Sequence, residues 1–298
     1  MTNQTFRSNL LAIGITIGIV ILAQTATAQT LSTKPTVVYE TPFEEAAKPV
    51  AKPQPAVPVD AITANKRLTE ANPKNAVAFN NLAIAYATAG RNEEARDALL
   101  EAIRIDPAKS RFYVNLSVVY YRLKQKDESL RAAEQAVAIE PNSVEARETL
   151  CYRYGESPMK AKMAECYELL LKLTPKDAVA KANYAVAQVW IGNIDKGIEI
   201  LDEVVTSTPS FAAAWNALGQ AYFRKKKYSN AASSFKRAVE ISPEIPIYRY
   251  NLGVTQVQRK NKAGAFSQYK LLKDSDPNLA KKFYQLMFAD KLLVYTGN

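Results

Sequence analysis

The chain has 298 residues, and its 39 lysines and arginines outnumber its 29 aspartates and glutamates, which gives a net charge of +10. It contains no histidine and only two cysteines, so histidine-activated nucleophiles, imidazole metal ligands and four-cysteine zinc sites are excluded. Gly192 and Gly197 have the outer spacing of a phosphate-binding loop, but Ile198 and Glu199 follow where such a loop requires lysine and serine or threonine. We therefore predict a non-enzymatic protein without a cofactor or a small-molecule substrate. An enzyme that uses serine, lysine or carboxylates alone is the alternative, and no residue spacing supports it.

The chain begins with a segment that has the features of a secretory signal peptide. Residues 10–23 form a largely apolar run after Arg7, and Ala26-Thr27-Ala28 supplies the small residues of a cleavage site. The run is shorter than the ~20 apolar residues that cross a bilayer, which disfavours the alternative of a retained membrane anchor formed by residues 10–23. We predict a signal peptide over residues 1–28 and an exported protein, either periplasmic or secreted.

Residues 29–59 follow with a different composition. They contain six prolines and show little apolar periodicity. Such a segment cannot bury enough apolar surface to fold by itself. We predict a disordered, proline-rich tether between the signal peptide and the folded part of the chain.

From residue 60 onward, proline recurs at one fixed spacing, at Pro73, Pro107, Pro141, Pro175, Pro209, Pro243 and Pro277. A period of this length is typical of stacked two-helix units. Proline lacks an N–H and disfavours helical backbone in the residue before it, so each proline marks a joint between helices. The spacing predicts six repeats over residues 76–279, with a capping helix at 60–75 and another at 280–298.

The residue types repeat with the prolines. The pattern is clearest in the fifth unit, where one face of a first helix carries Trp215, Leu218, Gly219 and Tyr222, and one face of a second helix carries Ala231, Phe235 and Ala238. This register resembles the tetratricopeptide repeat. The resemblance implies an all-α fold, a right-handed α-solenoid of stacked antiparallel helix pairs, and a role as a scaffold or adaptor that binds another protein.

The third unit departs most from the pattern. Cys151 and Met163 replace its small contact residues, and Pro158 lies in its turn. Antiparallel packing of the two helices would bring Cys151 and Cys166 together, and an oxidising compartment would allow a disulfide. Two buried thiols that pack as small apolar groups are an equally favoured alternative.

Positive charge is concentrated in the last third of the chain and in the turns between first and second helices. Residues 212–298 carry 15 lysines and arginines against 5 acidic residues. The basic turn residues are Lys124, Lys126, Lys160, Lys162, Arg224, Lys225, Lys226, Lys227, Arg259, Lys260 and Lys262. They serve either solubility and helix-end electrostatics or contact with an acidic protein, a membrane surface or a polyanion. An RNA-binding helical repeat is the alternative function, and export disfavours it.

The resemblance also implies where a partner binds. In tetratricopeptide proteins the first helices line a concave groove, and asparagines on them hydrogen-bond the backbone of an extended peptide. We predict a peptide-binding groove, suited to a segment of acidic character, that is formed by Asn81, Asn115, Asn183, Asn251, Trp190, Phe223, Tyr250, Arg122 and Arg224. Two alternatives stay open: the asparagines can instead link adjacent helices, and the aromatic residues can belong to the core.

Overall fold

The computed structural model describes residues 18–19, 39–40 and 59–289. The helical part divides into two compact units, an N-terminal unit over residues 59–177 and a C-terminal unit over residues 178–289. Its helices are α1 (Val59–Ala71), α2 (Ala76–Thr88), α3 (Asn92–Ile105), α4 (Ser110–Arg122), α5 (Lys126–Ile139), α6 (Val144–Glu156), α7 (Lys160–Leu173), α8 (Ala178–Trp190), α9 (Ile194–Ser207), α10 (Ala212–Arg224), α11 (Tyr228–Ile241), α12 (Pro246–Gln258), α13 (Lys262–Ser275) and α14 (Pro277–Ala289). Each unit is a stack of helix pairs, which confirms the predicted all-α class.

The repeats are regular to the residue. Every first helix (α2, α4, α6, α8, α10 and α12) has 13 residues. Every second helix has 14 residues, so the helix boundaries recur with the period of the prolines. The last helix begins at Pro277, inside the range predicted for the repeats, rather than at residue 280. Asp276 accepts a hydrogen bond from the N–H of Leu279 and so caps the helix, and proline is tolerated in its first turn.

A residue in the left-handed conformation ends most first helices. Its φ is positive at Gly90, Lys124, Gly192, Lys226 and Lys260, which are spaced by one repeat length or a multiple of it. The next N–H then reaches back to a carbonyl of the last turn, as from Gln125 to Tyr120 at 2.9 Å, and satisfies a group that the helix end leaves open. Three of the turn lysines therefore occupy positions where glycine is favoured.

Close approach between the two helices of a repeat depends on small residues. A Cβ added to Gly219 of α10 would lie 2.7 Å from the ring of Phe235 of α11. Ala231 of α11 is fully buried in the same cluster as that ring, and Ala238 is fully buried in a neighbouring cluster with Tyr248. The glycine thus allows the ring to pack directly against the backbone of the first helix.

Repeat 3, formed by α6 and α7, is held together differently. Cys151 and Cys166 form a disulfide, with their Cα atoms 5.3 Å apart. Pro158 takes the place of the left-handed residue, and the amine of Lys160 donates a hydrogen bond to the carbonyl of Gly155 at the end of α6. Burial lowers the pKa of Lys160. The helix boundaries nevertheless match those of the other repeats.

The predicted signal peptide and tether lie outside the described residues, apart from short pieces. Gly18–Ile19 and Tyr39–Glu40 form a two-residue antiparallel pairing, with Gly18 opposite Glu40. Within the described part of the chain, no helix has the length and apolar character to cross a membrane.

Candidate functional site

Two asparagine pairs connect neighbouring first helices. The side-chain amide of Asn115 on α4 donates to the Oδ1 of Asn80 on α2 at 2.7 Å. In the C-terminal unit, the amide of Asn251 on α12 donates to the Oδ1 of Asn216 on α10 at 2.9 Å. The two members of each pair are separated in sequence by one repeat plus one residue.

These bonds give two of the predicted groove asparagines a structural role. Asn115 has no exposed surface, so it is not accessible to a peptide in this structure, and the alternative of bonding between helices applies to it. Asn183 is buried as well, whereas Asn81 and Asn251 keep part of their surface exposed. Asn80 and Asn216 were missed by the sequence reasoning, although their common spacing from Asn115 and Asn251 could have identified them.

The two predicted groove arginines also link adjacent repeats. Arg122 at the end of α4 donates to the carbonyl of Ala87 at 2.8 Å, and Arg224 at the end of α10 donates to the carbonyl of Val189 at 3.1 Å. Each places a cation at the carboxyl end of the preceding first helix, where the helix dipole favours it. Burial of both guanidinium groups lowers their pKa, although Arg122 as a whole residue remains exposed.

The predicted aromatic residues of the C-terminal unit differ in their exposure. The guanidinium of Arg224 lies 4.2 Å from the ring centre of Trp190, which is half-buried. Tyr250 is buried with its ring edge-on to Phe283, and burial raises its pKa to about 12. Phe223 is half-buried and packs edge-on against Tyr228. Trp190, Phe223 and Arg224 therefore keep partly exposed surface in this unit, and Tyr250 does not.

One position of the first helices differs in exposure from one repeat to the next. In the C-terminal unit it is occupied by Val186, Gln220 and Val254, which are only 2%, 3% and 5% exposed. In the N-terminal unit Ile84 of α2 and Val118 of α4 occupy it and are only partly buried, whereas Tyr152 of α6 is 5% exposed. The first helices α2 and α4 therefore present apolar surface at this position, next to the half-buried Asn81.

An arginine between two tyrosines lies at the end of this surface. The guanidinium of Arg153 on α6 is 4.2 Å from the ring centre of Tyr121 and 4.3 Å from that of Tyr152. The hydroxyl of Tyr121 donates to Glu156 at 3.1 Å. Burial, with a smaller contribution from Glu156, raises the pKa of Tyr121, which therefore stays neutral at physiological pH. Tyr121 is half-buried and extends the surface formed by Ile84 and Val118.

Sequence comparison identifies the repeats. One tetratricopeptide repeat profile matches residues 60–110 and 179–246, and a second matches residues 110–143, together about half of the chain. The mouse Superkiller complex protein 3 is 35% identical over 100 residues, which are 32% of this chain and 6% of that protein. The chain thus corresponds to a small part of this curated relative.

Structure comparison gives the same fold. A tetratricopeptide repeat protein from Parabacteroides merdae aligns with a TM-score of 0.64 at 18% identity, over 76% of this chain and 89% of that one. YrrB, described as a tetratricopeptide repeat protein with an unusual peptide-binding site, aligns with a TM-score of 0.54 at 18% identity, over 63% of this chain and 97% of its own. The fixed repeat period, the helix pairs and these matches agree: the chain belongs to the tetratricopeptide repeat family.

Proposed function

We propose that this chain is a non-enzymatic scaffold that binds another protein, and that the first helices of its N-terminal unit hold an extended segment of that partner. Its tetratricopeptide repeats support a role in protein–protein interaction. The location on α2 and α4 rests on the partial exposure of Ile84 and Val118, because the corresponding residues of repeat 3 and of the C-terminal unit are buried.

The side chains around this position suit an extended polypeptide. Ile84, Val118 and Tyr121 offer apolar and aromatic surface along α2 and α4, and aromatic residues are common binding anchors. The amide of Asn81 can both donate and accept hydrogen bonds, as a peptide backbone requires. Residues 59–177 carry 18 lysines and arginines against 17 acidic residues, so this surface does not itself select a partner segment of acidic character.

Export belongs to the proposal as well. The apolar run over residues 10–23 and the small residues before position 29 support a signal peptide, and a disulfide between Cys151 and Cys166 is compatible with an oxidising compartment. We propose that the protein acts outside the cytosol, on a partner that is also exported. The N-terminal sequence of the protein isolated from its host would test cleavage before Gln29.

Site-specific photocrosslinking tests the binding surface. A photoreactive amino acid at Val118 should capture the partner through one extended segment, which mass spectrometry of the crosslinked peptide would identify. The same amino acid at Leu100, which is exposed on the second helix α3, is the matched control and should not capture that segment. Crosslinks from Leu100 without crosslinks from Val118 would show that the partner binds the second helices instead.

A synthetic peptide of the captured segment then allows affinity to be measured. Val118→Asp should weaken binding at least about tenfold, because it places a charge where apolar surface is buried, while Leu100→Asp should not. Equal affinity of both variants would refute peptide binding at the first helices. Only the broader role as a protein-binding scaffold would then stand.

A further inference from the structure

The last two described helices expose aromatic side chains that touch one another. Phe266 on α13 is 47% exposed and Tyr284 on α14 is 44% exposed. Their rings are connected through Tyr269, with centroid distances of 5.9 Å from Phe266 to Tyr269 and 5.5 Å from Tyr269 to Tyr284. Single exposed apolar residues are ordinary, but a strip of rings across two helices is a contiguous surface patch.

Lysines flank these rings on the same side of α13. Lys262, Lys270 and Lys273 stand four residues before, four residues after and seven residues after Phe266, which is the spacing of one helix face. All three are exposed, and the amine of Lys270 lies 5.2 Å from the ring centre of Phe266. We call Lys262, Phe266, Tyr269, Lys270 and Lys273, together with Tyr284, the basic aromatic strip.

The charge around the strip is almost entirely positive. Residues 246–289 contain eight lysines and arginines against two aspartates, Asp274 and Asp276, and no acidic residue interrupts α13 from residue 262 to residue 273. Asp276 is already engaged as the cap of α14. The strip is thus complementary to a negatively charged surface.

We propose that the basic aromatic strip docks on the surface of an anionic phospholipid bilayer. The tyrosine rings sit favourably at the level of lipid headgroups because the ring is apolar and its hydroxyl is polar, and the ring of Phe266 adds apolar surface that enters the acyl boundary. Lysine side chains place their methylene groups along apolar surface and their ammonium groups at headgroup phosphates. An outward-facing helix surface with rings and lysines side by side fits a broad lipid interface. The proposal is independent of the peptide surface on α2 and α4.

Vesicle sedimentation with the full-length protein tests this proposal. Binding to phosphatidylcholine vesicles that contain phosphatidylglycerol should exceed binding to pure phosphatidylcholine vesicles, and salt should weaken it. Any contribution of the apolar residues 10–23 is common to all variants and is measured with the neutral vesicles. Equal binding to both kinds of vesicle would overturn the proposal.

Matched variants locate the contact. Lys270→Glu with Lys273→Glu should reduce the partition coefficient for anionic vesicles roughly twentyfold or more, because each lysine near an anionic surface contributes about a factor of five. The control is Lys172→Glu with Lys176→Glu, which changes the net charge equally at exposed positions of the N-terminal unit. An equal loss in both pairs would show that only net charge matters and would refute the strip.

A fluorescent variant provides a gain of signal. Phe266→Trp should show a blue shift and quenching by brominated lipids in anionic vesicles, whereas Leu169→Trp, at a residue 44% exposed on α7, should show neither. Two other results would contradict the proposal: RNA or polyglutamate binding that depends on Lys270 and Lys273 while vesicle binding does not, or a dimer in light scattering that Phe266→Ala dissociates.

Discussion

Repeats 3 and 5 have helices of the same length at the same spacing, yet different contacts hold their two helices together. In repeat 5, Gly219 allows the ring of Phe235 to pack on the backbone of α10, and Lys226 ends that helix in a left-handed conformation. In repeat 3, a cysteine stands at the position of Gly219 and a proline at that of Lys226, and a disulfide joins the helices. The geometry of the repeat therefore does not require one set of contacts, since a covalent link can replace a close backbone approach.

Removal of the disulfide of repeat 3 should lower the stability of the protein more than any other change proposed below. Cys151→Ser with Cys166→Ser should lower the free energy of unfolding by about 3 kcal/mol, because the bond closes a loop of 15 residues in the unfolded chain. Urea unfolding with and without reductant measures it. Reductant should destabilise the natural protein and leave the double variant unchanged; a natural protein insensitive to reductant would contradict the role of the bond.

A buried tyrosine of repeat 6, which is formed by α12 and α13, should lower the stability of the protein at alkaline pH. Tyr250 has a pKa raised to about 12 by burial, above the value near 10 of an exposed tyrosine, so folding favours its neutral form. Its contribution to the free energy of unfolding is complete below pH 10. As the pH rises from 10 to 12, this contribution falls by about 2 to 3 kcal/mol. The free energy of unfolding of Tyr250→Phe, measured in urea at each pH, should fall less steeply between these pH values than that of the natural protein. Equal slopes would show that Tyr250 ionises normally.

The close approach in repeat 5 should tolerate no added side chain. Gly219→Ala would place a Cβ 2.7 Å from the ring of Phe235 and should cost about 2 kcal/mol of unfolding free energy. Gly90→Ala is the control, because its Cβ meets open space and only its positive φ opposes the change, at a cost of about 1 kcal/mol. Equal costs, measured by urea unfolding, would mean that the ring moves freely.

Substitution of a buried and of a partly exposed asparagine distinguishes a structural role from a ligand-binding role. Asn115→Ala leaves the Oδ1 of the buried Asn80 without its hydrogen-bond donor and should cost about 2 kcal/mol, whereas Asn81→Ala, at a partly exposed neighbour, should cost under about 0.5 kcal/mol. A double-mutant cycle of Asn80→Ala and Asn115→Ala measures the coupling between them. Additive losses would mean that the hydrogen bond contributes nothing.

The smallest expected effect is an increase in stability. Lys226→Gly removes the strain of a side chain at a φ of 62° and should raise the free energy of unfolding by about 0.5 to 1 kcal/mol. Lys225→Gly, one residue earlier at a φ of −76°, should instead lower it by a similar amount. Thermal or urea unfolding of both variants decides the matter, and changes of the same sign would exclude the conformational explanation.

The sequence determined the family, the repeat length and the approximate position of each helix, because proline spacing and apolar periodicity are local signals that recur six times. The proximity of Cys151 and Cys166 was also readable, since antiparallel helices of known length place two residues at equal distances from one turn side by side. In the structure, a disulfide joins these two cysteines.

Only the tertiary structure shows which of the predicted groove residues bond to neighbouring repeats. Asn115, Arg122 and Arg224 have the residue types of binding groups, but each donates a hydrogen bond to the preceding first helix, about one repeat away in sequence. Likewise, Ile84 and Val254 occupy equivalent positions of the repeat, and only the first keeps part of its surface exposed. A repeating sequence specifies which face a residue occupies. Its burial depends on the size and polarity of the neighbours packed against it, which differ from one repeat to the next.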